Sequence, residues 1–169
     1  MSTLEPIQKA SRLLKAELNE EELDLINAQA LRPMTAEEVF TFRLAACDDQ
    51  IDRDNERFTP ETLDGFAKLF PGRTVLMDHD WDVKNQPAGV YAASVEEVGG
   101  VRRLVLRCYM PRLESNADTI RAIESGILRE CSVGVAVKSA ICSICGQDQR
   151  TGWCEHVGGR EYGGQVCYF

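Results

Sequence analysis

Gly89-Val90-Tyr91-Ala92-Ala93-Ser94-Val95-Glu96-Glu97-Val98-Gly99-Gly100-Val101-Arg102-Arg103-Leu104-Val105-Leu106-Arg107-Cys108-Tyr109-Met110 decides the fold. Two runs rich in β-branched and aromatic residues flank a Gly-Gly pair, which is the signal of a tight hairpin. Strands therefore run from Gly89 to Val98 and from Val101 to Met110. Further strands fit Glu38–Ala46, Thr74–Met77 and Cys131–Ser139. Thr59 as N-cap, Pro60 at N1 and Thr62 at N3 start a helix whose apolar face is Leu63, Phe66, Ala67, Leu69 and Phe70, and Pro71-Gly72 stops it. Ser115 or Asn116 caps a second helix through Ser125, with Gly126 placed as its C-terminal glycine. The fold class expected is α+β: a mainly antiparallel, partly closed sheet or barrel with flanking helices and a small Cys-rich module.

Residues 4–29 read as one or two amphipathic helices with a break near Asn19, ended by Pro33. The organisation expected is an N-terminal helical arm at 1–33, which could serve oligomerisation, a core domain at 34–139, and a zinc-knuckle-like segment at 140–169. The abrupt end at Phe169 reads as a C-terminal truncation or as a naturally short version. Asp48 to Glu56 is a polar loop that lacks the glycine and ligand spacing of a calcium loop.

The 169 residues carry a net charge of −8. That argues against a nucleic-acid partner, because such binding relies on Lys and Arg neutralising phosphates. No apolar run approaches the roughly 18 residues of a membrane helix, and the N-terminus lacks a signal-peptide layout. The expectation is a cytoplasmic protein without a membrane partner.

Two local settings carry chemistry. Thr74-Val75-Leu76-Met77-Asp78-His79-Asp80-Trp81 delivers a histidine from an apolar strand into a polar turn. Gly126-Ile127-Leu128-Arg129-Glu130-Cys131-Ser132-Val133-Gly134-Val135 places a serine at the start of a strand. A serine hydroxyl needs a neighbouring base to act as a nucleophile, and histidine suits that role near neutral pH. Val133-Gly134 offers backbone N–H groups for a developing oxyanion, and Arg129 lies nearby. Cys131 reads as a small buried apolar residue, as do Cys47 and Cys108.

Cys142-Ser143-Ile144-Cys145-Gly146 has knuckle spacing, and Cys154-Glu155-His156 follows. Three thiols and an imidazole suit a four-coordinate structural zinc. The expected ligands are Cys142, Cys145, Cys154 and His156, with Cys167 as an alternative to His156.

The order strand-His-Asp, hairpin, helix-Gly and strand-Ser-x-Gly resembles the prohead proteases of tailed phages, capsid-maturation serine peptidases related to herpesvirus assemblins. The likeness rests on Asp52-Arg53-Asp54, on Met77-Asp78-His79-Asp80-Trp81 and on Gly126 to Val135, and spans roughly residues 38–139. Some members look similar at the cysteines too: Cys154-Glu155-His156-Val157-Gly158-Gly159-Arg160 matches a Cys-x-His-x-x-Gly insertion. The resemblance implies catalytic roles for Ser132 and His79. It also implies cleavage of phage scaffold and major capsid proteins, inside the procapsid in the host cytoplasm. The third member of the triad is not evident: Glu130, Asp78, Asp80 and His156 are the candidates. The alternative is a noncatalytic capsid-assembly or scaffold protein that keeps the protease fold. A zinc-pinned binding module unrelated to phage is a third reading.

Overall fold

The computed structural model describes residues 12–14 and 18–169. Its elements are β1 (Arg12–Leu14), α1 (Glu20–Asn27), β2 (Val39–Asp48), α2 (Pro60–Leu69), β3 (Thr74–Val75), β4 (Ala88–Val98), β5 (Val101–Pro111), α3 (Ala117–Glu124), β6 (Glu161–Tyr162) and β7 (Gln165–Val166). The first five strands pair antiparallel in the order β1-β2-β5-β4-β3. Strands β2 to β5 curl into a half-barrel, and short β1 extends one edge. The α+β expectation holds.

The hairpin is built as the sequence implies. Val98 pairs with Val101. Gly99 and Gly100 sit at φ 62° and 78°, a backbone that a side chain would resist. Alternation then buries one face. Phe42, Leu44, Leu104, Leu106, Cys108 and Met110 form the main core with Leu63 and Phe66 of α2 and Ile120 of α3. Two bulges interrupt the alternation, at Ala46 and at Tyr91. Each turns two consecutive residues to the same side. Ala46 and Cys47 both meet the main core, whereas Tyr91 and Ala92 both meet a second cluster around Ile26 and Val39 on the opposite face. Leu104 has no exposed surface. Leu104→Ala is expected to cost about 2–5 kcal/mol, read as a lower urea midpoint at constant slope.

The caps follow local rules. Thr59 Oγ1 accepts from Thr62 N at 3.3 Å, and Pro60 opens α2. Gly126 follows α3 at φ 74°. Asn19 caps α1 by accepting from Glu22 N at 2.9 Å, which is the break expected there.

Two expectations are corrected. Within the stretch read as helical, Arg12–Leu14 is a strand paired with Arg43–Ala45. Residues 1–11 and 15–17 lie outside the described residues. Farther along, α1 packs on the sheet through Ile26, which is fully buried. Cys131–Ser139 forms no ladder. It runs past β2, with Cys131 Sγ 3.6 Å from Ala45 O. There β2 is already paired on both sides at Arg43–Ala45, by β1 and β5, so a correct β-pattern finds no free edge.

A buried charge fastens α1. Arg43 and Arg107 stand directly opposite each other on β2 and β5, a like-charge pair that repels. Glu22 Oε1 lies between them, 3.5 Å from Arg43 Nη2 and 3.4 Å from Arg107 Nη1, and its side chain is 4% exposed. Burial raises the Tyr91 hydroxyl pKa far above its usual value, and the Glu22 charge adds to this. Removing Glu22 would leave two guanidinium groups facing each other. Glu22→Ala is expected to destabilise by about 3 kcal/mol, measured by denaturant unfolding.

Candidate metal centre and serine–histidine site

The Cys/His cluster grows from three tight turns. Cys142 O accepts from Gly146 N at 2.9 Å, and Cys142 N donates to Gln147 O at 2.9 Å. Gly146, at φ 75°, closes this first knuckle between Cys142 and Cys145. Cys154 and His156 follow on a short loop. β6 and β7 then form a hairpin over Gly163-Gly164, which brings Cys167 back to the knuckle. Cys167 N donates to Arg160 O, Gly159 N donates to Cys167 O, and Ser143 N donates to Tyr168 O.

One ligand atom from each of Cys142, Cys145, Cys154 and His156 lies within 4.8 Å of the others. Ligands about 2.0–2.3 Å from a tetrahedral ion stand roughly 3.3–3.8 Å apart, so small adjustments close the site. These four residues can hold a metal ion, and they are the four that the spacing singled out. His156 supports the fit: its Nδ1 is buried without a hydrogen-bond partner. Such an atom is costly unless something bonds to it. The ring is held edge-on by Tyr162, with centroids 4.6 Å apart at 88°. Tyr162 was not singled out from sequence; the Gly163-Gly164 turn beside it was the available signal.

Burial pushes the Cys142 thiol up. The backbone amides of Cys145 and Ile144 and the thiols of Cys145 and Cys167 outweigh it and bring the group down to about 6. Cys167 Sγ lies 3.9 Å from Cys142 Sγ. A fifth donor therefore stands at the edge of a four-ligand set. Gln149 Nε2 lies 2.8 Å from Cys154 Sγ and donates toward it.

The cysteine module touches the core domain at loop 52–57. Asp52 accepts from the amides of Asp54 and Glu56 at 2.7 and 2.9 Å, so its carboxylate is spent on turning the chain. Asn55, at φ 60°, stands at the tip. Phe169 N donates to Asn55 O at 3.0 Å, and Arg57 N donates to Phe169 O at 2.8 Å. Gly158 and Gly159 face the Asn55 side chain, where an added Cβ would lie 3.2 and 3.1 Å from its atoms.

His79 follows β3 and Ser132 follows α3, so the two come from segments distant in the chain. Cys131 and Val133 pack against the core, and Ser132 between them is exposed. Burial raises the Cys131 thiol to about 11, so it stays protonated near neutral pH. His79 is exposed as well. Its ring lies against Gly134: a Cβ built there would sit 3.4 Å from Nδ1. The structure thus brings the imidazole to the segment that carries Ser132, two residues along. Among the described residues, neither side chain makes a hydrogen bond. From 129 to 139 no backbone group bonds to another among the described residues, so the Val133 and Gly134 amides are free. A groove of about 1810 Å³ runs along this segment beside α2 and loop 52–57; Ser132 lines it and His79 does not.

The candidate third members fall elsewhere. Asp80 accepts from Asp82 N and Asn85 Nδ2, and these two donors hold its carboxyl below the usual range. His156 belongs to the Cys/His cluster that can hold a metal ion. Asp78 and Glu130 are exposed without a bond to the ring. Among the described residues, no helix is long and apolar enough to cross a membrane. Comparison with protein-family models, with curated proteins and with solved structures finds no match.

Proposed function

We propose that this chain is a serine endopeptidase of phage capsid maturation, with Ser132 as nucleophile and His79 as its general base. The observation that carries the reading is the imidazole of His79 against Gly134, beside an exposed Ser132 and two amides unpaired among the described residues. In the step proposed, Ser132 Oγ attacks the scissile carbonyl carbon as its proton passes to His79. The amides of Val133 and Gly134 receive the oxyanion. The C–N bond then breaks, and the imidazolium returns the proton to the leaving amine. The substrates are scaffold and major capsid proteins, and the chain works inside the procapsid in the host cytoplasm. Cys142, Cys145, Cys154 and His156 hold one structural zinc, which pins the wall of the groove. Four protein ligands leave no open position, so the metal takes no part in the chemistry.

A second reading is a noncatalytic capsid-assembly protein on the same fold. It is favoured by one observation: among the described residues nothing orients the far side of the His79 ring. A fluorophosphonate probe separates the two. An activated Ser132 forms an O–P bond, fluoride leaves, and the hydroxyl proton goes to His79. Mass spectrometry should find the adduct on Ser132. A chain left unlabelled, with scaffold protein uncut on co-expression, would take the assembly reading instead.

A further inference from the structure

We propose that Asn85 and Asp80 are positioning residues for His79: their side chains latch the turn Met77–Asp80 that holds the imidazole against Gly134. The inference rests on the serine–histidine reading above.

Asp78 and His79 both have positive φ, 54° and 55°. Asp80 N donates to Met77 O at 3.0 Å across them. Two central residues at positive φ under a closing bond mark a type I′ turn, which normally uses Gly or Asn. Here both positions carry a Cβ. A strained path of this kind persists only where the surroundings over-determine it.

The surroundings are a closed network. Asn85 Nδ2 donates to Asp80 Oδ2 at 2.7 Å, the shortest bond of the loop. Asn85 O accepts from Met77 N at 2.8 Å. One residue thus grips both ends of the turn, one through its backbone and one through its side chain. Asp80 Oδ1 accepts from Asp82 N at 3.0 Å, and Asp82 O accepts from Asn85 N at 2.9 Å. Asp82 Oδ1 caps the short helical turn that follows by accepting from Lys84 N at 3.0 Å. Gln86 Nε2 donates to Trp81 O at 3.1 Å and closes the loop from outside.

His79 has little else to aim it. It is exposed, and among the described residues its ring makes no hydrogen bond. Its direction is therefore set by its backbone. Without the latch, Asp78 and His79 are free to return to negative φ, which swings the imidazole off Gly134.

The test uses the full chain and three variants: Asn85→Ala, Asp80→Ala, and Asn85→Ala combined with Asp78→Gly. Only two histidines are present, so ring resonances assign readily, and His156 serves as an internal control. Asn85→Ala should shift the His79 ring resonances and leave those of His156 in place. Its fluorophosphonate labelling rate should fall about 10²-fold, the scale of a misplaced catalytic group. Asp80→Ala should match it. Glycine at 78 adopts positive φ without strain, so the double variant should recover part of the rate. Wild-type ring resonances in Asn85→Ala overturn the latch, and so does a shifted ring with an unchanged rate. If the unaltered chain is never labelled, the peptidase reading fails, and the ring resonances alone decide whether the latch sets the imidazole.

Discussion

Treating the protein with a chelator is expected to unfold residues 140–169 while the half-barrel stays folded, if the Cys/His cluster holds the zinc proposed above. The module has two-residue strands and few buried side chains: Cys142 and Cys167 are its fully buried ones. A segment so small cannot offset its chain entropy by apolar burial. Structural zinc supplies on the order of 10 kcal/mol in comparable small modules, so its loss should decide the matter. Elemental analysis should find about one zinc per chain before chelation. Afterwards, amide resonances from 140 to 169 should collapse toward unfolded positions, and those of β2, β4 and β5 should remain. Single variants then identify the fourth ligand. His156→Ala should lose metal, and Cys167→Ala should keep it; the reverse pattern would exchange their roles. A metal-free preparation with an intact module would refute zinc at this site.

Ser132→Ala is expected to abolish both fluorophosphonate labelling and scaffold cleavage. Members of a catalytic unit fail together: in a serine protease, losing the nucleophile or its base alone costs about 10⁶-fold in kcat. His79→Ala should therefore be as inactive as Ser132→Ala, and the double variant no worse. The fold should be untouched, because Ser132 is exposed between two residues that carry the packing, Cys131 and Val133. Unfolding midpoints should agree across the series. Equal cleavage by Ser132→Ala and the unaltered chain would move the activity to another residue.

The parts of this chain legible in sequence are those set by local rules. Gly99-Gly100 is a turn wherever it falls between two β runs, and Thr59-Pro60 starts a helix by its own chemistry. The spacing of Cys142, Cys145, Cys154 and His156 carries the cluster because short loops leave the side chains few places to go. What was not legible depends on partners distant in sequence. Arg12-Leu13-Leu14 has the composition of a helix and becomes a strand because β2 offers it an edge. Cys131–Ser139 has the composition of a strand and stays unpaired because that edge is taken. The approach of His79 to Gly134 is a contact between segments that no local pattern links. The latch from Asn85 to Asp80 was nearer to hand, since a run of Asp and Asn residues marks a loop that can bond to itself.

If the Cys/His cluster takes up a metal, the bonds from Phe169 to Asn55 and Arg57 would make that metal and the groove thermodynamic partners. Loop 52–57 lines the groove on one side and is held by the cysteine module on the other. Where one element is shared, two binding events share a free energy, and the exchange runs equally in both directions. If metal binding tightens the grip of the groove on a polypeptide by some factor, an occupied groove tightens the grip on the metal by the same factor.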